Sequence, residues 1–136
     1  MIVLDEQLLG RDLEHDIARW YRGPVQFIMD LRPHSVIKDE AIPDLLRHQA
    51  QPTFVTINDR DFWRRVTADR RYCIACFPLP DSRVRELPSS LRALLPRLEF
   101  RTKAHRMGKI LRVTTEEILY HTVDNRQVRT ISQQTG

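Results

Sequence analysis

Hydrophobic and polar positions divide the chain into two regions with different periodicities. In residues 1–95, short apolar runs predict buried strands at 2–4, 25–29, 54–57 and 72–77. Apolar residues at helical spacing predict three helices, on the sets Leu9, Leu13, Ile17 and Trp20, then Ile42, Leu45 and Leu46, then Leu91, Leu94 and Leu95. Asp39 is predicted to cap the second helix. Strands that alternate with helices predict an α/β fold, with a parallel sheet, helices on both faces and functional groups at the carboxyl ends of the strands.

Beyond Pro96 the pattern changes to an alternation with a period of two. It predicts strands at 109–114, 117–122 and 127–132, followed by a frayed tail at 133–136. We expect residues 1–98 to form the main α/β unit and residues 99–136 to form a small antiparallel β meander packed on the same domain. The meander is expected to extend the sheet, to cover one of its edges or to form a homodimer contact.

Composition narrows the class of protein. A chain of 136 residues with 41% hydrophobic residues is long and apolar enough for one core without disulfide or metal staples. The longest apolar run, residues 72–77, is far shorter than the roughly 20 residues that span a bilayer. The chain begins Met-Ile-Val-Leu-Asp-Glu, without a basic or apolar leader, so we expect a cytoplasmic protein with no membrane partner.

Charge is segregated along the chain. Residues 1–62 carry seven Lys/Arg against eleven Asp/Glu, a net charge of −4, and residues 63–136 carry fifteen against seven, a net charge of +8. Of the 22 basic residues 19 are arginine, whose planar fork suits phosphate. An acidic cluster facing a basic surface is typical of a metal-dependent enzyme acting on a polyanion. The alternative is that arginine follows genome composition and these charges form a solvated surface.

Acidic residues occur at element ends in three separate segments. They follow the first predicted strand, begin the second predicted helix and follow the third predicted strand, as Asp5 and Glu6, Asp39 and Glu40, and Asp59 and Asp61. A parallel sheet would bring these segments together, and clustered carboxylates suit Mg²⁺ or Mn²⁺ rather than zinc. Each acid alone also has a structural interpretation, as a helix cap, an Asx turn or a strand end.

These three segments resemble a known family. Ile-Val-Leu-Asp-Glu at 2–6, Lys-Asp-Glu-Ala-Ile at 38–42 and Phe-Val-Thr-Ile-Asn-Asp-Arg-Asp-Phe-Trp at 54–63 look like the PIN-like domains of bacterial toxin–antitoxin operons, of the short VapC-like type. The third segment is the most specific, although here one extra residue separates Thr56 from Asp59. The resemblance covers roughly residues 1–95 and leaves out the C-terminal meander.

The resemblance implies a fold and an activity. PIN domains are three-layer sandwiches around a parallel sheet, and they are Mg²⁺- or Mn²⁺-dependent ribonucleases that cleave RNA with a metal-activated water. Asp5, Asp39 and Asp59 would then be the catalytic, metal-binding carboxylates, and the supporting acids would be Glu6, Glu40 and Asp61. The resemblance also implies a cognate antitoxin protein as partner. The alternative is a PIN-like module that binds RNA or a protein without cutting.

Polar residues near the acids are candidates for positioning and for RNA binding. Thr56 and Asn58 are predicted either to orient a water or phosphate or to satisfy the strand end. The predicted phosphate contacts, whose RNA affinity should fall with salt, are Arg60, Arg64, Arg65, Arg70 and Arg71.

Other chemistries find less support. Cys73 and Cys76 lie three apart in a strand pattern, so we expect them on opposite faces as buried reduced thiols. The five histidines lack ligand spacing, and the four glycines form no phosphate loop. A phosphorylated receiver domain would use Asp59 and a late lysine such as Lys103, but bulky residues follow Asp59 and the acids at 39 and 40 would have no role.

Overall fold

One mixed sheet organises the computed structural model, which describes residues 1–133; the remainder of the predicted tail, 134–136, lies outside the described residues. Seven strands are present in the described part: β1 (Ile2–Leu4), β2 (Val25–Phe27), β3 (Thr53–Thr56), β4 (Cys73–Cys76), β5 (Lys109–Val113), β6 (Glu117–Thr122) and β7 (Arg129–Ser132). Their order is β2-β1-β3-β4-β5-β6-β7. The first five strands pair in parallel, and β6 and β7 are antiparallel additions.

The helices are short and connect the strands. They are α1 (Leu13–Ala18), α2 (Ile42–Arg47), α3 (Asp59–Phe62), α4 (Leu87–Leu94) and α5 (Lys103–Arg106). Within the described residues, four 3₁₀ turns accompany them, at Glu6–Leu8, Ile28–Leu31, Asp39–Ala41 and Asp81–Glu86. Across residues 1–133, none of the helices has the length and apolar character needed to cross a membrane.

Successive residues of the central strands point into two separate cores. One face, covered by α2 and α3, buries Val3, Phe54, Ile74 and Ile110. The other face, covered by α1 and α4, buries Ile2, Leu4, Val55, Ala75 and Leu111. Side chains that alternate between two buried faces explain why these strands read as continuous apolar runs. The predicted α/β class, with helices on both faces of the sheet, is confirmed.

The two cysteines follow the same alternation. Cys73 belongs to the core under α1 and α4, Cys76 to the core under α2 and α3, and both are free and buried. Burial raises the pKa of the Cys73 thiol to about 12. The prediction of buried, reduced thiols on opposite faces is confirmed.

The first predicted helix begins later than its periodicity indicates. Leu9 was expected on the buried face but is 56% exposed, and α1 starts only at Leu13. Gly10 and Asp12 have positive φ values of 80° and 62°, which interrupt the helical path.

The prediction that Asp39 caps the second helix is wrong. Lys38 precedes the 3₁₀ turn, Asp39 is its first residue, and no side-chain capping hydrogen bond is made there. The turn runs directly into α2, where proline is accommodated in the first turn. The carboxylate of Asp39 is therefore not used to cap the turn.

The C-terminal meander extends the sheet. Its antiparallel pairing of β5 with β6 and of β6 with β7 is confirmed, but β5 also pairs in parallel with β4. Ile110 and Leu111 of β5 are fully buried, one in each core. The C-terminal segment therefore contributes a central strand as well as the edge.

Candidate active site

Asp5 is fixed in a single orientation where β1 ends. It is only 4% exposed, and its amide donates to the carbonyl of Val55 at 3.0 Å. One carboxylate oxygen, Oδ1, accepts from the amide of Glu6 at 2.7 Å, and Oδ2 accepts from the Thr56 hydroxyl at 2.6 Å. The parallel pairing of β1 with β3 brings Asp5 and Thr56 together although they are distant in sequence.

The surroundings of Asp5 disfavour its negative charge. Burial raises the pKa of this carboxyl, hydrogen bonds from Thr56 and Glu6 lower it, and the charges of Glu6 and Asp61 raise it again, with a net shift upward. A carboxylate held in this way gains from a nearby cation, which would offset both the desolvation and the repulsion.

Asp61 is held at the start of α3 by Asn58. The Asn58 side chain accepts from the Asp61 amide at 3.3 Å and donates to the Asp61 carboxylate at 2.7 Å. The backbone amide of Asn58 in turn donates to the hydroxyl oxygen of Thr56 at 3.0 Å. A continuous chain of hydrogen bonds thus runs from Asp61 through Asn58 and Thr56 to Asp5.

Asp39 completes what we call the acidic cluster, defined as Asp5, Asp39 and Asp61. Its side chain is exposed, at the start of the 3₁₀ turn before α2. Partial loss of hydration, the charge of Asp5 and the adjoining carboxyl of Asp61 all raise the pKa of Asp39. Three acids from three segments therefore lie close enough to interact, with Asp61 in the place where the sequence predicted Asp59.

Asp59, the predicted third metal ligand, faces a different neighbour. Its carboxylate accepts from Nε of Arg112 on β5 at 2.9 Å. Asn58 caps a helical turn at this point, and residues two apart in a helix point roughly 200° away from each other. Asp59 and Asp61 therefore point to different sides of this turn, and it is Asp61, predicted as a supporting acid, that adjoins Asp39.

An open pocket of about 530 Å³ joins acidic and basic side chains beside the cluster. Asp39, Asp61 and the predicted supporting acid Glu40 line it, together with Arg47 and Arg65. Arg65 lies 3.8 Å from the Asp61 carboxylate. Glu6 is exposed and does not line this pocket, although its charge acts on Asp5.

The predicted phosphate-binding arginines have different positions. Of the five, Arg65 lines the pocket and Arg60 is exposed to solvent. The other three have protein partners: Arg64 reaches the carbonyl of Arg126 at 3.4 Å, Arg70 pairs with Asp124 at 2.7 Å, and Arg71 pairs with Asp69 at 3.1 Å. Arg47 was missed, because its position at the end of α2 gives no sequence signal that it faces the acids.

The acidic cluster does not form a compact set of three ligand atoms. Among residues 1–133, the only group with three potential ligand atoms within 4.8 Å of one another is Asp12, Glu14 and His15. The carboxylate oxygens of Asp5, Asp39 and Asp61 therefore do not all lie within 4.8 Å of one another. Opposite oxygens around Mg²⁺ are closer, at roughly 4.2 Å, because each metal–oxygen distance is about 2.1 Å. Mg²⁺ commonly takes one or two carboxylates and completes its shell with water and substrate phosphate, which this spacing allows.

The group of Asp12, Glu14 and His15 was not anticipated, since the histidines had no ligand spacing. His15 Nδ1 hydrogen-bonds the Asp12 carboxylate, which raises the pKa of His15. One oxygen of Glu14, Oε2, is buried without a hydrogen-bond partner. This small group could hold a metal, but it lines none of the described pockets.

Comparisons with known proteins return no significant match. No family model, no curated protein and no solved structure matches the chain. The resemblance of three segments to PIN-like domains therefore stays a prediction.

Proposed function

We propose that the chain is a metal-dependent endoribonuclease, with the acidic cluster as its metal site. The observation that supports this most directly is the pocket in which Asp39 and Asp61 meet Arg47 and Arg65, with Asp5 buried and oriented beside them. Acids that hold a cation and arginines that bind phosphate are the two components that phosphodiester hydrolysis needs.

The carboxylates would hold the ion through a preorganised network. Asp5 is oriented by Thr56 and Asp61 by Asn58, so both enter the site without a loss of side-chain freedom. Asp39, which is exposed, is free to adjust to the ion or to a water bound to it. When bound, Mg²⁺ or Mn²⁺ would lower the pKa of a bound water and neutralise charge on the phosphate.

The arginines of the pocket would hold the RNA backbone. Arg65 is exposed and only loosely paired with Asp61, and Arg47 bonds the exposed Asp44 at 3.2 Å. Phosphate can displace such solvent-exposed partners, because surface ion pairs contribute little. Contacts of this kind carry no sequence information and make binding salt-dependent.

The family assignment belongs to the same proposal. The sandwich would be of the PIN-like type, and the enzyme would be the toxin of a toxin–antitoxin pair held inactive by its cognate antitoxin. The three matching segments support this, and the neighbouring gene is its simplest test. The competing candidate, a non-catalytic PIN-like module, is favoured by the ion pair that engages Asp59 with Arg112.

Cleavage of RNA in the presence of Mn²⁺ tests the proposal. Asp5→Asn and Asp61→Asn should each lower the cleavage rate by about 100-fold or more and weaken Mn²⁺ binding, measured by calorimetry. Asp16→Asn is the matched control, since it makes the same chemical change at an exposed position of α1. Circular dichroism would verify that each variant is folded.

Asp59→Asn tests whether Asp59 or Asp61 is the third metal ligand. We expect it to retain Mn²⁺ binding, because the carboxylate of Asp59 is engaged with Arg112. Loss of binding in Asp59→Asn but not in Asp61→Asn would contradict the site described here. Absence of Mn²⁺ binding by the unaltered protein would leave the non-catalytic module as the better candidate.

A further inference from the structure

A second pocket lies at the opposite end of the sheet from the acidic cluster. It has a volume of about 650 Å³ and is lined by residues that precede β2 and β5 together with the end of α4. Five cationic side chains line it and no acidic one does: Arg22, Arg92, Arg101, Lys103 and Arg106. We call this the basic pocket.

Arg106 is the most buried of the five cationic side chains in the basic pocket. It is only 5% exposed, its Nε donates to the Thr53 hydroxyl at 3.1 Å, and its Nη1 donates to the carbonyl of Phe100 at 3.0 Å. Both partners are neutral, and no carboxylate pairs with Arg106 within residues 1–133. A buried guanidinium without a counterion is costly, so its environment favours a bound anion.

The other four cations of the basic pocket also lack ion pairs in the described part of the chain. Elsewhere many arginines do form them, for example Arg70 with Asp124 and Arg112 with Asp59. Positive charge is therefore concentrated without compensation in one concave place. Four of its five cations are arginines, whose forked geometry matches phosphate oxygens.

Aromatic side chains form another wall of the same pocket. Trp20 and Tyr21 are half-buried, with ring centroids 6.2 Å apart and planes at 81°. The Tyr21 ring lies directly against Gly23, where an added Cβ would come within 2.7 Å of a ring carbon. Aromatic faces beside arginines are the surroundings in which nucleobases stack and phosphates are bound.

We propose that the basic pocket binds a nucleoside phosphate, with the phosphate on Arg106 and its neighbouring cations and the base against Trp20. Its volume lies within the range of small-molecule sites. The ligand chemistry is the same for a free nucleotide and for the terminal nucleotide of an RNA strand. The pocket uses none of the residues of the acidic cluster, so this site does not depend on the proposed nuclease activity.

Equilibrium binding in EDTA tests this site without engaging a metal. The probes are adenosine 5′-monophosphate, a 5′-phosphorylated tetranucleotide, the same tetranucleotide without its phosphate, and a hexaglutamate peptide. We expect the phosphorylated probes to bind at least tenfold more tightly than the unphosphorylated one. Binding of both assigns a free nucleotide, and binding of the tetranucleotide alone assigns a strand end.

Variants locate the binding. Arg106→Gln and the double variant Arg101→Gln/Lys103→Gln should each weaken binding at least tenfold, whereas Arg85→Gln, at an exposed arginine outside the pocket, should not. Should Arg106→Gln fail to fold, the double variant at exposed positions decides. Trp20→Leu should weaken the nucleotide more than inorganic phosphate.

Three results would overturn the proposal. They are no binding of either phosphorylated probe, tighter binding of hexaglutamate than of the two phosphorylated probes, or equal affinity of the Arg101→Gln/Lys103→Gln variant and the unaltered protein for the phosphorylated probes. Asp5→Asn should leave nucleotide binding unchanged. Failure here and failure of the nuclease proposal are therefore distinguishable.

Discussion

Among single residues, Thr56 has the most demanding position. It is completely buried, its hydroxyl proton is donated to Asp5 at 2.6 Å, and its oxygen accepts from the Asn58 amide at 3.0 Å. One side chain thus supports the carboxylate after β1 and the cap of α3 at the same time. The sequence predicted that Thr56 either orients a water or phosphate or satisfies the strand end. It did not predict the bond to Asp5, because hydrogen bonds between distant segments leave no local pattern.

Thr56→Val should lower the free energy of unfolding by about 1.5–3 kcal/mol, since the variant keeps the shape but removes a hydrogen bond to a charged group. Urea denaturation would measure the change. Thr115→Val, at an exposed position, is the matched control and should change stability by less than about 0.5 kcal/mol. An effect of Thr56→Val as small as that of the control would show that the bond to Asp5 contributes little.

The raised pKa of Asp5 should make the stability of the protein depend on pH. Its folded-state pKa lies above the unfolded value of about 4. The folded protein therefore takes up this proton more readily, and stability falls as pH rises from the unfolded value through the raised one. In EDTA, Asp5→Asn should show a smaller fall, because the raised pKa of Asp39 contributes to it as well. Denaturation at several pH values between about 4 and 7 would measure the difference.

Mn²⁺ affinity should change in the opposite sense over the same pH window, because the ion competes with the proton for the carboxylate. It should rise with pH and level off above the raised pKa of Asp5. A stability profile of Asp5→Asn parallel to that of the unaltered protein would contradict the assignment.

At the scale of elements, strands were easier to predict than helix boundaries. β1, β3 and β4 lie within one residue of their predicted limits, because burial on both faces leaves a continuous apolar run. α1 starts late because Gly10 and Asp12 have positive φ, which hydrophobic periodicity does not reveal.

Hydrophobic periodicity also could not distinguish the roles of Asp59 and Asp61 in the candidate site. Asp59 and Asp61 differ only in which side of a single helical turn they occupy, and the cap at Asn58 determines that side. The acids after β1 and β3 were correctly placed at the ends of strands, since these positions follow from the pattern of elements. Asp39, predicted as a helix cap, instead opens a 3₁₀ turn. Their partners, Arg112 for Asp59 and Asn58 for Asp61, were not foreseen.

Asn58→Ala should cost about 1 kcal/mol of stability through loss of the cap and should weaken Mn²⁺ binding, because Asp61 loses the amide that orients it. Asn58→Ser separates the two effects, since serine is also a good capping residue. We expect it to restore thermal stability but not the affinity for Mn²⁺, measured by calorimetry. Recovery of both would mean that the orientation of Asp61 by Asn58 is unimportant.

Across the whole molecule, the charge segregation seen along the chain becomes a separation between the two ends of the sheet. The acidic cluster comes entirely from residues 1–62, and the basic pocket takes most of its cations from residues 92–106. The arginines predicted beside the acids are largely engaged elsewhere, as with Arg70 and Asp124, 54 positions apart. Which cations remain unpaired is decided by such long-range contacts and is not visible in composition.

The C-terminal segment contributes to the sheet, to the surroundings of the acidic cluster and to the basic pocket. β5 pairs with β4 in parallel and carries Arg112, which holds Asp59 beside the candidate site. The basic pocket also draws on this segment, through Arg101, Lys103 and Arg106. A division of the chain at residue 98 therefore separates parts that share both cores and the basic pocket.

Truncated chains would test whether residues 1–98 can fold without the C-terminal segment. A chain of residues 1–98 loses the buried side chains of Phe100, Ile110 and Leu111 and leaves the edge of β4 open, so we expect no cooperative unfolding transition. A chain of residues 1–126 loses the edge strand β7, which is mostly exposed, and the hydrogen bonds of Gln133 with Thr114 and Arg97. It should unfold cooperatively with reduced stability. Thermal unfolding followed by circular dichroism distinguishes the two. A cooperative transition in residues 1–98 would show that the main unit folds without its C-terminal strands, and the sheet would then be an assembly of two separable parts.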